Sequence, residues 1–152
     1  MRLLIDTNVI LDYLLSREGF REQAKEIFDL VKYGEHFEVL SSSAVTDIFY
    51  HLNREFRNSF KAQEQIRELM KIVSILTVSE QDIRTALDMR WKDFEDAVQY
   101  AVALSNRVDA VISRNVRDFE GHEIPVMTPD EFLTMIHRGK VLRDNANHAD
   151  NA

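Results

Sequence analysis

The chain contains no cysteine, which excludes a disulfide framework, a thiolate zinc site and a cysteine nucleophile. That absence suits a reducing compartment, so a cytoplasmic location is expected. No apolar run approaches the ~20 residues that a membrane span needs. The N-terminal stretch that could pass for a secretory segment is interrupted by Asp6 and Asp12. A soluble protein with no membrane partner is expected. Positive charge is also scarce: 19 Lys and Arg stand against 26 Asp and Glu, a net charge of −7. This is the wrong sign for holding nucleic acid by a basic patch alone. Either the partner is not a polyanion, or some of the acids gather around a cation. No internal repeat and no Pro/Gly/Ser-rich linker divides the chain. Its 152 residues and 45% apolar content suit one domain with one core.

Short apolar runs alternate with amphipathic stretches. Leu3-Leu4-Ile5 reads as a buried strand, and Val9, Ile10, Tyr13 and Leu14 then recur at helical spacing. "REQAKEIFDLVKYG" is a helix that Gly34 can end. Residues 37 to 40 form a second strand, and "SSSAVTDIFYHLNREF" a helix capped by serine, with Val45, Ile48, Phe49 and Leu52 as its apolar stripe. "KAQEQIRELMKIVSILTV" runs from a helix into a strand near Val73 to Leu76, and Ser79 caps "EQDIRTALDMR". "FEDAVQYAVALSN" precedes the strand "DAVIS", and a short strand from Pro125 to Met127 leads to a helix with Pro129 at its first position. Strands separated by crossover helices indicate an α/β domain, a parallel sheet covered on both faces. The domain is expected over residues 1–140. Residues 141–152 read as a flexible tail, because the closing "RDNANHADNA" lacks apolar anchors.

In open α/β sheets, ligands bind at the carboxyl ends of strands, where the strand order switches direction. Asp6 directly follows the first strand and would project into that crevice, with Thr7 and Asn8 able to hold its carboxylate by hydrogen bonding. Alone, Asp6 reads equally well as an N-cap. Asp47 lies between apolar positions 45, 48 and 49, either at the site or at the boundary of the stripe. Asp93 and Asp96, three apart, share one face at a helix start, with Glu95 turned away. Asp93 suits the N-cap and Asp96 the site, although first-turn acidity complementing the helix dipole also explains the pair. "SRNVRDF" follows another strand and offers Asn115 and Asp118, which equally suit a turn.

Carboxylates gathered at one sheet edge would repel by about 4 kcal/mol per pair at roughly 4 Å in an effective dielectric near ~20. They could not all remain ionised without a cation. Oxygen donors with no cysteine, and with no histidine beside them in sequence, favour Mg²⁺ or Mn²⁺ over Zn²⁺. An ion held in this way binds phosphate oxygens, so hydrolysis of a phosphodiester is the natural chemistry. The metal, rather than a basic surface, would then offset the substrate's charge.

"LLIDTNVILDYL", the S-x-x-T-x-x-D-I-F-Y-x-L pattern around Asp47, "DFEDAVQYAVA" and "VISRNVRDFEG…IPVMTPDEFL" together resemble the PIN-domain family of Mg²⁺-dependent ribonucleases. Within it, the chain is most similar to VapC-like toxins of toxin–antitoxin pairs. The match runs in the family's order from residue 2 to about residue 136, and four spaced motifs are more specific than any one. The resemblance implies a three-layer sandwich around a five-stranded parallel sheet, a site of three or four acids holding one or two Mg²⁺ or Mn²⁺ ions, and cleavage of RNA. It also implies a cognate antitoxin and a homodimer.

Position by position, Asp6 matches the family's first acid, Asp96 its third and Asp118 its fourth. The second is commonly Glu. Asp47 is a methylene shorter, which leaves direct ligation and a bridging water both open. Asn115 stands where some members carry Asp, so the fourth corner is the least defined, and Ser113, often Thr, keeps a hydroxyl for substrate or water. Asp47 would orient or deprotonate the attacking water. Lys92 and Arg114 are the nearest cations in sequence and could touch flanking phosphates, or be ordinary exposed cations.

Two rivals stand beside this reading. One is a non-catalytic PIN-like module that binds RNA or protein, suggested by Asp47 and Asn115. The other is a phosphotransferase with Asp6 as nucleophile, which would want Asp rather than Asn at position 8. His36, His51, His122, His137 and His148 show no metal-ligand spacing, and Trp91 reads as packing against the domain. The mixed-charge faces of helices 21–33 and 59–73 read as solvated, with antitoxin or dimer contact as the alternative.

Overall fold

The computed structural model describes residues 1–34 and 36–149, with side chains for these except 32, 37, 38 and 141–149. Five strands, β1 (Arg2–Ile5), β2 (Phe37–Ser41), β3 (Ser74–Leu76), β4 (Ala110–Ile112) and β5 (Val126–Met127), form one sheet in the order β3-β2-β1-β4-β5. Every pairing is parallel, with Leu4 opposite both Val39 and Val111. Parallel neighbours need crossovers, and helices supply them. Seven are present among the described residues: α1 (Thr7–Leu14), α2 (Arg21–Lys32), α3 (Ser42–Phe56), α4 (Ser59–Leu69), α5 (Glu80–Met89), α6 (Phe94–Ser105) and α7 (Pro129–Ala149).

Alternation along the strands divides the core into two layers. Leu3, Ile5, Leu40, Ala110 and Ile112 face one side and pack on α1, α2, α3 and α7. Leu4, Val39 and Val111 face the other, under Tyr100, Val102 and Ala103 of α6, which α5 covers in turn through Ala86. Each fully buried Leu or Ile contributes roughly 1.5–3 kcal/mol, so a central strand apolar on both faces anchors both layers. The expected α/β sandwich is the fold observed.

The helix starts follow their capping chemistry. Ser41 Oγ accepts the Ser43 N–H at 3.3 Å before α3. Ser79 and Asp82 form a reciprocal capping box at α5, and Pro129 occupies the first position of α7. The turn expected around Asn115 and Asp118 contains a short 3₁₀ segment, Val116–Asp118. The helical backbone of α7 continues to Ala149, past the boundary expected at residue 140, and residues 150–152 of the expected tail lie outside the described residues. No described helix is long and apolar enough to cross a membrane.

Candidate active site

The chain leaves β1 toward β2 on one side, while β4 pairs on the other, so the order reverses between β1 and β4. At that point the Asp6 N–H donates to the Ile112 carbonyl at 3.0 Å, tying the carboxyl ends of the two strands together. Asp6 has the extended backbone of an N-cap, yet its side chain makes no capping bond. Its carboxylate instead accepts from Ser113 Oγ at 2.6 Å, Asn8 Nδ2 at 2.7 Å and Gln99 Nε2 at 3.1 Å. Asn8 in turn accepts the Arg114 N–H at 3.2 Å, and Ser113 Oγ accepts the Asn115 N–H at 3.0 Å. The capping explanation for Asp6 therefore falls, and the buried carboxylate is oriented by neutral donors. Burial raises its pKa, and the hydrogen bonds from Ser113, Gln99, the Thr7 backbone and Asn8 oppose that rise.

Helix α6 brings the next acids. Asp93 is its N-cap and accepts the Asp96 N–H at 3.2 Å. Asp96 shares the Gln99 amide with Asp6, at 3.4 Å from its own Oδ1. Its pKa is pushed up to about 8, first by burial and then by the charges of Asp6, Asp93, Asp118 and Glu95. Glu95, expected to turn away, lines the same cavity. Burial and the charges of Asp47, Asp6 and Asp93 raise its pKa too. The helix presents its amino-terminal turn to the cavity, so first-turn side chains from adjacent faces reach it.

Asp47 enters from α3, and Asp118 and Asn115 from the loop after β4. With Asp6, Thr7, Asn8, Asp93 and Asp96 they line one open cavity of about 260 Å³. The expected set of acids is thus brought together. Sequence reasoning did not assign four further residues of the cavity to the site: Leu11, Arg17, His51 and Gln99. His51, one helical turn after Asp47, has Nε2 3.6 Å from Asp47 Oδ1. Gln99 is three residues after Asp96 on the same helix face. Those two spacings were the available signals.

Two supporting expectations are revised, those for Ser113 and Arg114. Ser113 lies beneath the cavity at 0% exposure, and its hydroxyl is engaged by Asp6 and the Asn115 amide rather than kept for substrate. Arg114 is not among the residues lining the cavity: its Nε is 2.9 Å from Asp12 Oδ2, and its guanidinium carbon sits 4.1 Å from the Phe20 ring centre. The physical cause is Asp12, 1% exposed, which as a buried carboxylate needs a cation. Lys92 lines a neighbouring cavity with Arg117 and Glu120, which shares Asp93 and Asp118 with the acidic one. Trp91 packs against Tyr100 and Phe119, with ring centres 5.0 and 6.2 Å apart.

Among the described residues, no three Asp, Glu or His side chains form a group that could hold a metal ion as they stand. The donors nevertheless suit a hard divalent cation in kind, being carboxylate oxygens at the mouth of a parallel sheet. Three residues that line the cavity carry a buried polar atom with no hydrogen-bond partner, Thr7 Oγ1, His51 Nδ1 and Gln99 Oε1, and buried polar groups ordinarily find one. The mutual repulsion that adds to burial in raising Asp96 is also what a cation would relieve.

A model of the PIN domain matches residues 2–117 of the chain. A search of curated proteins found no match. Among solved structures, VapBC2 from Rickettsia felis bound to a promoter DNA fragment is similar with a TM-score of 0.67 and 11% identity, over 84% of this chain and 98% of that one. A toxin–antitoxin complex from Klebsiella pneumoniae gives 0.63 and 22%, over 84% and 97%. VapC20 from Mycobacterium tuberculosis, a toxin that cleaves the sarcin-ricin loop, gives 0.56 and 19%, over 72% and 86%. At these identities the likeness is one of fold.

Proposed function

The chain belongs to the PIN-domain family, and from that premise we propose that it is a Mg²⁺-dependent endoribonuclease acting as the toxin of a toxin–antitoxin pair. The observation that carries the proposal is that Asp6, Asp47, Asp96 and Asp118, remote in sequence, line one cavity. Asp6 and Asp96 would hold one or two Mg²⁺ or Mn²⁺ ions, with Asp118 and Asp47 completing the set. The cation would supply charge neutralisation of a phosphodiester and acidify water.

The chain's own residues do the rest. Ser113, Asn8 and Gln99 fix the Asp6 carboxylate, and Gln99 also sets the separation between Asp6 and Asp96. Fixed ligands need no reorganisation when substrate arrives. Asp47, at the cavity's open side beside His51, orients or deprotonates the attacking water. The sarcin-ricin cleavage named for the M. tuberculosis relative supports RNA as the substrate class, and the K. pneumoniae complex supports an antitoxin partner. A cytoplasmic homodimer that meets its antitoxin through the mixed-charge helices α2 and α4 belongs to the same proposal.

The test is cleavage of a panel of structured RNAs with Mg²⁺ by wild type, Asp6→Asn and Asp96→Asn. Cutting by wild type alone supports the proposal, and cutting retained in either variant contradicts it. The non-catalytic alternative draws on the lack, among the described residues, of three side chains already grouped for an ion. It predicts RNA or protein binding with no cutting by wild type and indifference to Mn²⁺.

A further inference from the structure

Asp12 is buried and charged, yet the chemistry proposed above makes no use of it. It sits on α1 at 1% exposure. Two guanidiniums meet it: Arg114 at 2.9 Å and Arg17 at 3.6 Å. One carboxylate against two guanidiniums leaves this trio a net charge of about +1. The two cations are not equivalent. Arg114 is the closer and is covered by the Phe20 ring. Arg17 makes the looser contact, retains 34% side-chain exposure and lines the acidic cavity.

The backbone holds Arg17 in this place. Its N–H donates to the Asp12 carbonyl at 3.1 Å, and its own carbonyl accepts the N–H groups of Phe20 at 3.2 Å and Arg21 at 2.9 Å. Ser16, immediately before it, adopts a left-handed φ of 48°, which turns the chain sharply out of α1. A non-glycine residue persists in that region where surrounding contacts impose it.

Among the described residues, no ion pair joins Arg17 to any carboxylate of the cavity. A guanidinium at the wall of an acidic cavity that leaves those acids alone has donors free for another anion. We propose that Arg17, held at the cavity wall by the buried Asp12–Arg114 pair, binds a backbone phosphate of the RNA strand beside the bond to be cut. The inference rests on the ribonuclease reading and deepens it. A guanidinium fork matches phosphate geometry, and a phosphate is the anion that an RNA substrate brings. Asp12 is then a positioning residue, and Arg17 replaces Arg114 as the cation of the site.

The test is binding of a fluorescein-labelled single-stranded RNA of mixed sequence, with Ca²⁺ in place of Mg²⁺ so that the strand stays uncut, measured across KCl concentrations for wild type, Arg17→Gln and Arg17→Lys. For a single strand, each phosphate left without its cation should flatten the slope of log affinity against log salt by about 0.7. Arg17→Gln is expected to bind several-fold more weakly with that shallower slope. Arg17→Lys is expected to bind more weakly with the slope retained, a distinction that a merely structural role would not produce. A wild-type slope in Arg17→Gln overturns the inference while leaving the ribonuclease reading standing. Failure of wild type to bind RNA overturns both. A second measurement needs no variant: RNA should protect Arg17 from phenylglyoxal in the wild-type protein, and equal modification with and without RNA overturns the inference.

Discussion

Two buried carboxylates lie at opposite ends of α1, and their surroundings are opposite in kind. Asp6, 5% exposed, is held by a hydroxyl and two amides. Asp12, 1% exposed, is held by two guanidiniums. Burial raises the pKa of both, against the pull of Arg114 and Arg17 at Asp12 and against hydrogen bonds alone at Asp6. The difference separates structure from function. A carboxylate given its own cations has its charge compensated within the fold, whereas one given only neutral donors is oriented, with its charge open to a ligand from outside the fold.

The largest effect expected from this contrast is on stability. Asp12→Asn strips two partly buried guanidiniums of their partner and should cost about 3 kcal/mol, the lower part of the range for breaking a buried pair. Asp6→Asn removes a charge that burial disfavours and should change stability by no more than about 1 kcal/mol. Urea unfolding of the two variants checks this, and equal losses would break the comparison.

Activity should respond the other way. Asp6→Asn and Asp96→Asn are each expected to lower RNA cleavage by at least about 100-fold, since a metal's charge stabilisation is worth several kcal/mol. Gln99→Leu leaves both carboxylates in place but removes the amide between them. It should lower cleavage by about 10-fold, an intermediate result that measures how much orientation adds to charge.

A pH dependence tests the acidic side of the same comparison. Asp96 holds its proton in the folded protein up to about pH 8, against an ordinary value of 3.8. Between those values the folded state binds more protons than the unfolded one, so stability present at low pH is lost as pH rises through that window. Without divalent ions, unfolding free energy should therefore fall between about pH 4 and pH 8, and the fall should flatten in Asp96→Asn. A stability that rises across this window in wild type would contradict the assigned surroundings of Asp96.

The sheet, its crossover helices and most helix starts were legible because short-range chemistry writes them: apolar runs, periodic stripes, and a serine or proline at the right place. Asp6 and Asp96 were legible for a related reason, being acids interrupting apolar elements at positions where strands end and helices begin. Gln99 was less visible because a lone amide in an apolar helix announces no partner until β1 is set beside α6. Reasoning about helix faces misplaces Glu95, because it does not describe an amino-terminal turn met end-on. Arg114 resembles a substrate contact in sequence because its neighbours there lie at a strand end. Its true partner, Asp12, lies far away in the chain, where it reads only as a break in an apolar run. Arg17 depends on a left-handed residue in a loop, which leaves no periodic signal.

The most direct test of the central claim, that Asp6 and Asp96 form a divalent-cation site, is titration of Mn²⁺ into wild type, Asp6→Asn and Asp96→Asn, followed by thermal unfolding. A ligand at 100 times its dissociation constant adds about 2.7 kcal/mol, so the wild-type midpoint should climb with Mn²⁺. Both variants should need at least about tenfold more of the ion for the same climb. A wild-type midpoint indifferent to Mn²⁺, or the same climb in all three proteins, would contradict the account.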